Sequence, residues 1–256
     1  MKVFVLTKKN ITFYSVMILA AMTIFLTRWD SSVYVFNQNS DLNSLPIYCV
    51  DKGEEKVCAI SFDAAWGNED TTELIKILED NKVKTTFFVV GSWVDKYPES
   101  VKALHDAGHE IKNHSNSHPH MTQISEEKMK EEIESCDKKI EAITGKKVNL
   151  FRPPYGDYNS KVIDVMNKQN HYTVQWSVDS LDWKDKTAEQ IHNRVVENIH
   201  PGAIVLFHNA AKNTPAALPG IIKALQDDGY KIVPVSELIY KDNYTIDHTG
   251  KQIEKS

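Results

Sequence analysis

Residues 57–67 read VCAISFDAAWG, and this stretch decides how the rest of the chain is interpreted. Its first six residues, Val57–Phe62, form an apolar, partly β-branched run that predicts a buried strand. Asp63 follows the run directly, so its carboxylate is expected at the carboxyl end of that strand. In α/β sheets this end is where functional side chains collect. The stretch therefore predicts both a strand and a site residue.

Runs of the same kind recur along the chain and alternate with helical patterns. The further predicted strands are Thr85–Val90, His109–Asn113, Val148–Phe151, Thr173–Val178, Ala203–Phe207 and Lys231–Val235. The predicted helices are Thr71–Asp80, Val94–Ala107, Ser125–Ile143, Ser160–Asn167, Thr187–Ile199 and Pro215–Asp228. Strands that alternate with helices imply a parallel sheet, and seven of them favour a (β/α) barrel or a doubly wound sheet. Periodicity alone does not choose between the two.

The N-terminus carries a separate signal. Lysines precede the apolar run at residues 11–26, and few positive charges follow it. The run spans ~24 Å as a helix, somewhat short of the ~30 Å hydrocarbon core, and flanking interfacial residues would cover the mismatch. We expect a signal-anchor helix with the N-terminus in the cytoplasm, rather than a cleaved signal peptide, because no small-residue cleavage site follows it.

The chain is thus expected to have four parts. Residues 1–29 form a cytoplasmic tip and anchor, residues 30–49 a polar tether, residues 50–240 the main domain, and residues 241–256 a polar tail. The net charge of −5 argues against a nucleic-acid partner. Three cysteines specify no disulfide framework, and Cys49 and Cys58 are expected to be unpaired thiols.

Polar side chains fall just after the predicted strands. They are Asp63, His114, His118, Arg152, Asp179, Asp182 and His208. Active sites of (β/α) barrels are built on the carboxyl-end face, from residues of several strands. One histidine after a strand is usually a structural loop residue, but five strand ends that carry Asp, His or Arg indicate an enzyme.

Two histidines lie four residues apart in the segment HSNSH, at His114 and His118. One helical turn at this spacing would bring both imidazoles to the same metal ion. Two histidines with a carboxylate and a water are a frequent catalytic zinc arrangement. His120 could extend the cluster, although a solvated loop histidine is the favoured interpretation.

Five segments in order carry a resemblance to a known family. They are Phe62-Asp63, His114-Ser-Asn-Ser-His118, Arg152-Pro-Pro-Tyr155-Gly156, Asp179-Ser-Leu-Asp182-Trp183 and Leu206-Phe-His208. Together they resemble the motifs of polysaccharide deacetylases, the NodB-homology domain of carbohydrate esterase family four, over about residues 50–240. The anchor and the Phe-Asp-Ala-Ala-Trp-Gly opening are most similar to the sporulation-associated deacetylases of endospore-forming bacteria. The resemblance implies a distorted (β/α) barrel of about seven parallel strands.

The resemblance also implies the roles of three residues. His114 and His118 would hold a divalent metal, usually zinc, which would polarise an acetamide carbonyl and activate a water. Asp63 would be the general base acting on that water.

The remaining roles concern the leaving group and the substrate. His208 would protonate the leaving amine as general acid, and Asp182 would favour its charged form. Arg152 would orient the base, and the backbone N–H of Tyr155 would stabilise the oxyanion. Trp183 would line the sugar groove, with a core aromatic as an equal alternative.

One departure from the family pattern concerns the residue after the base. The first motif normally has two adjacent aspartates, of which the second is a metal ligand, and here that position is Ala64. A methyl group cannot coordinate a metal, so binding should weaken. Asp63, Asn68 or His120 could complete the shell, or the metal could be loosely held.

Two functions follow from these observations. The first is a hydrolase that removes N-acetyl groups from cell-wall glycan, peptidoglycan above all, and it is supported by the retained acid and base residues. The second is a membrane-anchored glycan-binding or structural protein of the spore envelope with little activity, and it is supported by Ala64.

Overall fold

The computed structural model describes residues 45–255. The expected anchor at residues 11–26 and most of the expected tether lie outside the described residues. Within residues 45–255 no helix is both long and apolar enough to cross a membrane.

Residues 45–255 contain eleven strands, and seven of them form one continuous parallel sheet. The bounds are β1 Cys49–Val50, β2 Val57–Ala64, β3 Thr86–Val89, β4 Glu110–Asn113, β5 Leu150–Phe151, β6 Tyr172–Thr173, β7 Val178–Asp179, β8 Ile204–His208, β9 Lys231–Ile232, β10 Tyr244–Ile246 and β11 Lys251–Glu254. The main sheet has the order β6-β5-β4-β3-β2-β8-β7, and β9 pairs with the start of β2. The parallel sheet expected from the strand–helix alternation is confirmed.

One predicted strand, Thr173–Val178, is instead two short strands at opposite ends of this sheet. The Val174 N–H donates to Phe151 O of β5, whereas the Ser177 N–H donates to Ile204 O of β8. Three residues can advance only ~10 Å, so the two sheet ends must approach each other. The sheet is therefore curled like a distorted barrel. Hydrophobic periodicity could not show this exchange of partners.

The helices pack around the sheet. Their bounds are α1 Thr71–Asp80, α2 Gly91–Lys96, α3 Pro98–Asp106, α4 Glu126–Thr144, α5 Ser160–Lys168, α6 Ala188–Asn198, α7 Thr214–Asp227 and α8 Val235–Leu238. The single helix expected at residues 94–107 is two helices, α2 and α3, because Pro98 begins a new one after Tyr97. Ser125, the first residue of the predicted helix 125–143, is the N-cap of α4 and accepts a hydrogen bond from the Lys128 N–H.

Strand β2 shows how the sequence assigns residues to the two faces of the sheet. Ile60, Phe62 and Ala64 belong to the apolar cluster shared with α1, α2 and α7. Ala59 belongs to the cluster on the opposite face. Side chains alternate along a strand, so Asp63 lies on the face opposite Ala64.

The described parts of the expected tether and tail are folded. Strand β1 pairs in parallel with β11, which pairs antiparallel with β10. Gln252 fixes this small sheet, because its side chain accepts from the Tyr240 N–H and donates to the Tyr240 carbonyl. Residues 241–255 are polar, as expected, but they form strands. The three cysteines are free and buried, so the expectation of unpaired Cys49 and Cys58 is confirmed.

Candidate active site

The carboxyl ends of the parallel strands meet at one edge and surround a cleft of about 400 Å³. Its lining is mostly aromatic, imidazole and carboxylate side chains, with three small or aliphatic residues between them. The lining residues are Asp63, Ala65, Trp66, His114, His118, Tyr155, Gly156, Trp176, Asp179, Trp183, Leu206 and His208. The strand-end residues that the sequence singles out are thus brought together. Arg152 and Asp182 are buried beneath the lining, each bonded to a lining residue.

Asp63 and Arg152 form a buried ion pair. The Arg152 Nη1 donates to Asp63 Oδ1 over 2.8 Å, and its Nη2 donates to Ser61 Oγ and to the Gln175 carbonyl. Arg152 is fully buried, and its guanidinium lies 4.1 Å from the Phe88 ring centroid. The guanidinium fork therefore has fixed partners and holds the Asp63 carboxylate in one orientation.

The second oxygen of Asp63 faces a histidine. Asp63 Oδ2 lies 3.5 Å from His114 Nε2, while His114 Nδ1 bonds to the Arg152 carbonyl. Burial alone would raise the pKa of Asp63, but the charge of Arg152, together with the charges that His114 and His208 carry when protonated, outweighs burial and holds that pKa below its usual value. Asp63 is therefore ionised at neutral pH, in the state a general base requires.

His118 is carried by a loop in an unusual conformation. Ser115 and His118 have φ values of 68° and 60°, in the left-handed region that non-glycine residues seldom occupy. Glu132 of α4 holds the loop, because its carboxylate accepts from the Asn116 N–H, the Ser117 N–H and the Ser117 hydroxyl within 2.9 Å. Glu132 is itself buried. This positioning residue lies outside the motifs that the sequence points to.

The two histidines share the cleft, with ring centroids 5.0 Å apart. Burial and the neighbouring His114 lower the pKa of His118 to about 4, so its imidazole is neutral and able to bind a cation. Burial also lowers the pKa of His114, and two neutral imidazoles at this separation suit two ligand positions of one metal ion.

A third metal ligand is not provided. Among residues 45–255 no three His, Cys, Asp or Glu side chains form a group able to hold a metal. Ala64 is buried in the apolar cluster under the helices and does not line the cleft. The residues present can therefore supply two ligands to a metal ion, but they do not form a site that would hold the ion tightly.

The residues proposed to complete the metal shell lie elsewhere, apart from Asp63. Asn68 donates to Ser100 Oγ, away from the cleft lining. His120 does not line the cleft: it stacks on Tyr155 with centroids 4.2 Å apart, and its Nδ1 lies 3.7 Å from Asp157 Oδ2. Asp63 is thus the candidate nearest to the histidines, but Arg152 already holds its other oxygen.

His208 and Asp182 form a second fixed pair. Asp182 Oδ1 lies 2.8 Å from His208 Nδ1, and Oδ2 accepts from the His208 N–H and the Thr214 hydroxyl. Burial alone would lower the pKa of His208, but the hydrogen bond and charge of Asp182, aided by Asp63, outweigh burial and raise that pKa. His208 therefore favours the protonated form that a general acid requires.

Large aromatic side chains surround the cleft. Tyr155 and Trp183 are more than half exposed, so the alternative that Trp183 is a core residue is excluded. Tyr155 also contacts the His118 ring edge-on, with centroids 4.5 Å apart. Trp66 is equally exposed on the same cleft and was not predicted as a site residue, although its place three residues after Asp63 was a usable signal.

Comparison with known proteins agrees with this geometry. The polysaccharide deacetylase family model matches residues 51–174. The YlxY protein of Bacillus subtilis (strain 168) is 35% identical over 76% of this chain, which spans only 60% of the relative's length. The peptidoglycan-N-acetylmuramic acid deacetylase PdaA of the same organism is 31% identical, with 79% of each chain covered.

A solved structure is also similar. Wild-type BA3943 from Bacillus anthracis, described as a CE4 family pseudoenzyme, is 35% identical with a TM-score of 0.74, over 78% of this chain and 71% of that one. A BA3943 mutant, at 36% identity and TM-score 0.75, is described as having restored enzymatic activity. The matching family model, the relatives and the shared fold together show that this chain belongs to the polysaccharide deacetylases of carbohydrate esterase family four, a family of hydrolases that act on carbon–nitrogen bonds.

Proposed function

We propose that this chain removes N-acetyl groups from cell-wall peptidoglycan. One observation carries the proposal: an ionised aspartate and a histidine that favours its protonated form line the same cleft, each fixed by a buried partner. Asp63 and His208 thus meet the requirements of a general base and a general acid. The naming of PdaA as a peptidoglycan deacetylase supports the choice of substrate.

In the proposed reaction, Asp63 Oδ2 accepts a proton from a water whose oxygen attacks the acetamide carbonyl. The Tyr155 N–H donates to the oxygen that becomes negative. His208 then gives its proton to the sugar nitrogen as the C–N bond breaks, which releases acetate and a free amine. A divalent ion, zinc in our proposal, would supply polarisation of the carbonyl, and among residues 45–255 His114 and His118 are the side chains best placed to hold it.

The test is to measure amine release from acetylated peptidoglycan and chitooligosaccharides, with added zinc and with a chelator, against the Asp63→Ala variant. Amine release that requires Asp63 supports the proposal. Equal background release by both proteins contradicts it.

A second candidate function is binding of the glycan without turnover, in the envelope of the cell or spore. Two observations favour it: the third metal ligand is missing at Ala64, and BA3943 shares this fold and is described as a pseudoenzyme. Glycan binding with no amine released at any zinc concentration would establish this candidate instead.

The substitution Ala64→Asp tests the metal site. In the absence of metal, a carboxylate at this buried apolar position should lower the free energy of unfolding by about 1–3 kcal/mol. If the new carboxylate turns from the end of β2 toward the cleft, zinc should offset this loss, because an ion shared with His114 and His118 would compensate the charge. We expect a zinc-dependent rise in Tm that is larger for Ala64→Asp than for the wild type.

Ala64→Asn is the matched control, because it has the same size and no charge. A zinc response in Ala64→Asp no larger than that of Ala64→Asn would mean that the three side chains do not converge. The proposal that position 64 belongs to one metal shell with His114 and His118 would then be wrong.

We further propose that residues 11–26 anchor the protein in the cell membrane and that residues 50–240 lie outside the cytoplasm. We also propose that the protein is expressed during sporulation. The apolar run after the N-terminal lysines supports the anchor. The full chain should then fractionate with membranes and retain Lys2. An N-terminal sequence that begins beyond residue 26 would show that the segment is cleaved.

A further inference from the structure

Trp66 is a large apolar side chain held in an exposed position. It is 59% exposed and lines the cleft, although it immediately follows a buried strand and Ala65. Scattered exposed apolar residues are ordinary, but a tryptophan on the wall of a cleft is informative. Within the cleft the indole contacts the His118 ring edge-on, with centroids 5.5 Å apart.

The backbone beneath Trp66 is fixed from two sides. The Asn209 amide nitrogen donates to the Trp66 carbonyl at 2.5 Å and to the Gly67 carbonyl at 2.8 Å, and its oxygen accepts from the Ala65 N–H. On the other side Trp93 Nε1 donates to the Gly67 carbonyl. The indole therefore projects from a rigid turn and does not depend on a mobile loop for its place.

Gly67 permits this turn. Its φ is 46°, and an added Cβ would lie 2.9 Å from Ala210 Cβ, closer than such atoms approach. Only glycine fits here without movement of the neighbouring strand end. The conformation that exposes Trp66 is thus built into the loop between β2 and α1.

The chemistry around Trp66 suits one class of ligand. Aromatic faces are provided by Trp66, Tyr155 and Trp183, and the polar groups between them are carboxylates and imidazoles. A pyranose ring has an apolar C–H face and hydroxyl edges, so it can cover an aromatic face while its hydroxyls bond to those groups. Pockets in general combine apolar walls with a few polar groups that fix orientation.

We infer that Trp66 is a stacking surface for a sugar ring in a subsite beside the one over His114 and His118, so that the ligand is a glycan chain of at least two residues. This inference rests on the proposed function only for the identification of the ligand as a glycan. It adds that the cleft discriminates by chain length. Asn209 and Trp93 together position the turn.

The test is calorimetric binding of N-acetylglucosamine and of its acetylated β-1,4-linked tetramer to the full chain, wild type and Trp66→Ala. Loss of one stacked ring should raise the Kd of the tetramer roughly threefold to tenfold. The Kd of the monosaccharide should change less than the Kd of the tetramer. Trp66→Phe, which keeps an aromatic face, should restore most of the tetramer affinity.

Because Trp66 is exposed, its replacement should leave the Tm unchanged, and a measured Tm serves as the folding control. Equal tetramer affinity in Trp66→Ala and the wild type would overturn the inference, as would equal weakening of monomer and tetramer. Binding is measured without turnover, so the inference stands if Trp66-dependent tetramer binding occurs with no amine released. That result would contradict the deacetylase proposal alone.

Discussion

Turnover of acetylated peptidoglycan by the His208→Ala variant is expected to fall by roughly 10²–10⁴-fold, the usual contribution of a positioned general acid. His208 lines the cleft, and Asp182 fixes its ring through Nδ1. Without the imidazole, the departing amine must leave as a poor anionic leaving group or take its proton from water. Affinity for the glycan should change little, because the aromatic walls remain.

The pH dependence of turnover identifies the acid. Asp182 outweighs the effect of burial and raises the pKa of His208, so wild-type turnover should fall as the pH rises through this raised value. That fall should be absent from the residual activity of His208→Ala. His248→Ala, an exposed histidine between β10 and β11, is the control and should retain full turnover. Unchanged turnover in His208→Ala would remove this residue from the mechanism.

The second large effect concerns stability. Replacing Arg152 with methionine should lower the free energy of unfolding by about 3–5 kcal/mol, because it leaves a buried carboxylate without its cation. Asp63 is 5% exposed, and the guanidinium that compensates it is fully buried. Ser61 Oγ and the Gln175 carbonyl would lose their donor as well. Urea unfolding measures the loss.

The double variant Asp63→Leu, Arg152→Met separates charge from packing. If the unpaired carboxylate causes the loss, the double variant should be more stable than Arg152→Met alone. A double variant that is less stable than the single one would show that Arg152 stabilises the core mainly through its contacts with Phe88 and its neighbours.

Most helices and strands were predictable from the local hydrophobic pattern. The exceptions are segments whose structure depends on pairing with strands far away in the sequence. Helix α1 has the predicted bounds, because its sequence alternates buried and exposed residues at helical spacing. The segment 173–178 could not be read in the same way, since its residues pair with β5 at one end and β8 at the other. The polar sequence of residues 241–255 concealed the pairing of β11 with β1, which lies about 200 residues earlier in the chain.

Site residues that lie at the ends of strands were predictable from the sequence. A side chain that holds the site in place from a helix was harder to predict. Asp63, His114 and His208 were found because parallel strands place their carboxyl ends together. Glu132 was missed although it occupies the buried stripe of α4 between Met129 and Cys136, where a charged residue is itself a signal. Its partners, in the loop that carries His118, could be identified only from the tertiary structure.

The deacetylase proposal is tested most directly by measuring acetate and free amine together in reactions of the purified protein with N-acetylated peptidoglycan. We expect both products in equal amounts, at a rate that increases with added zinc and is lost in Asp63→Ala. Glycan bound in the cleft with neither acetate nor amine released, at any zinc concentration, would contradict the proposal.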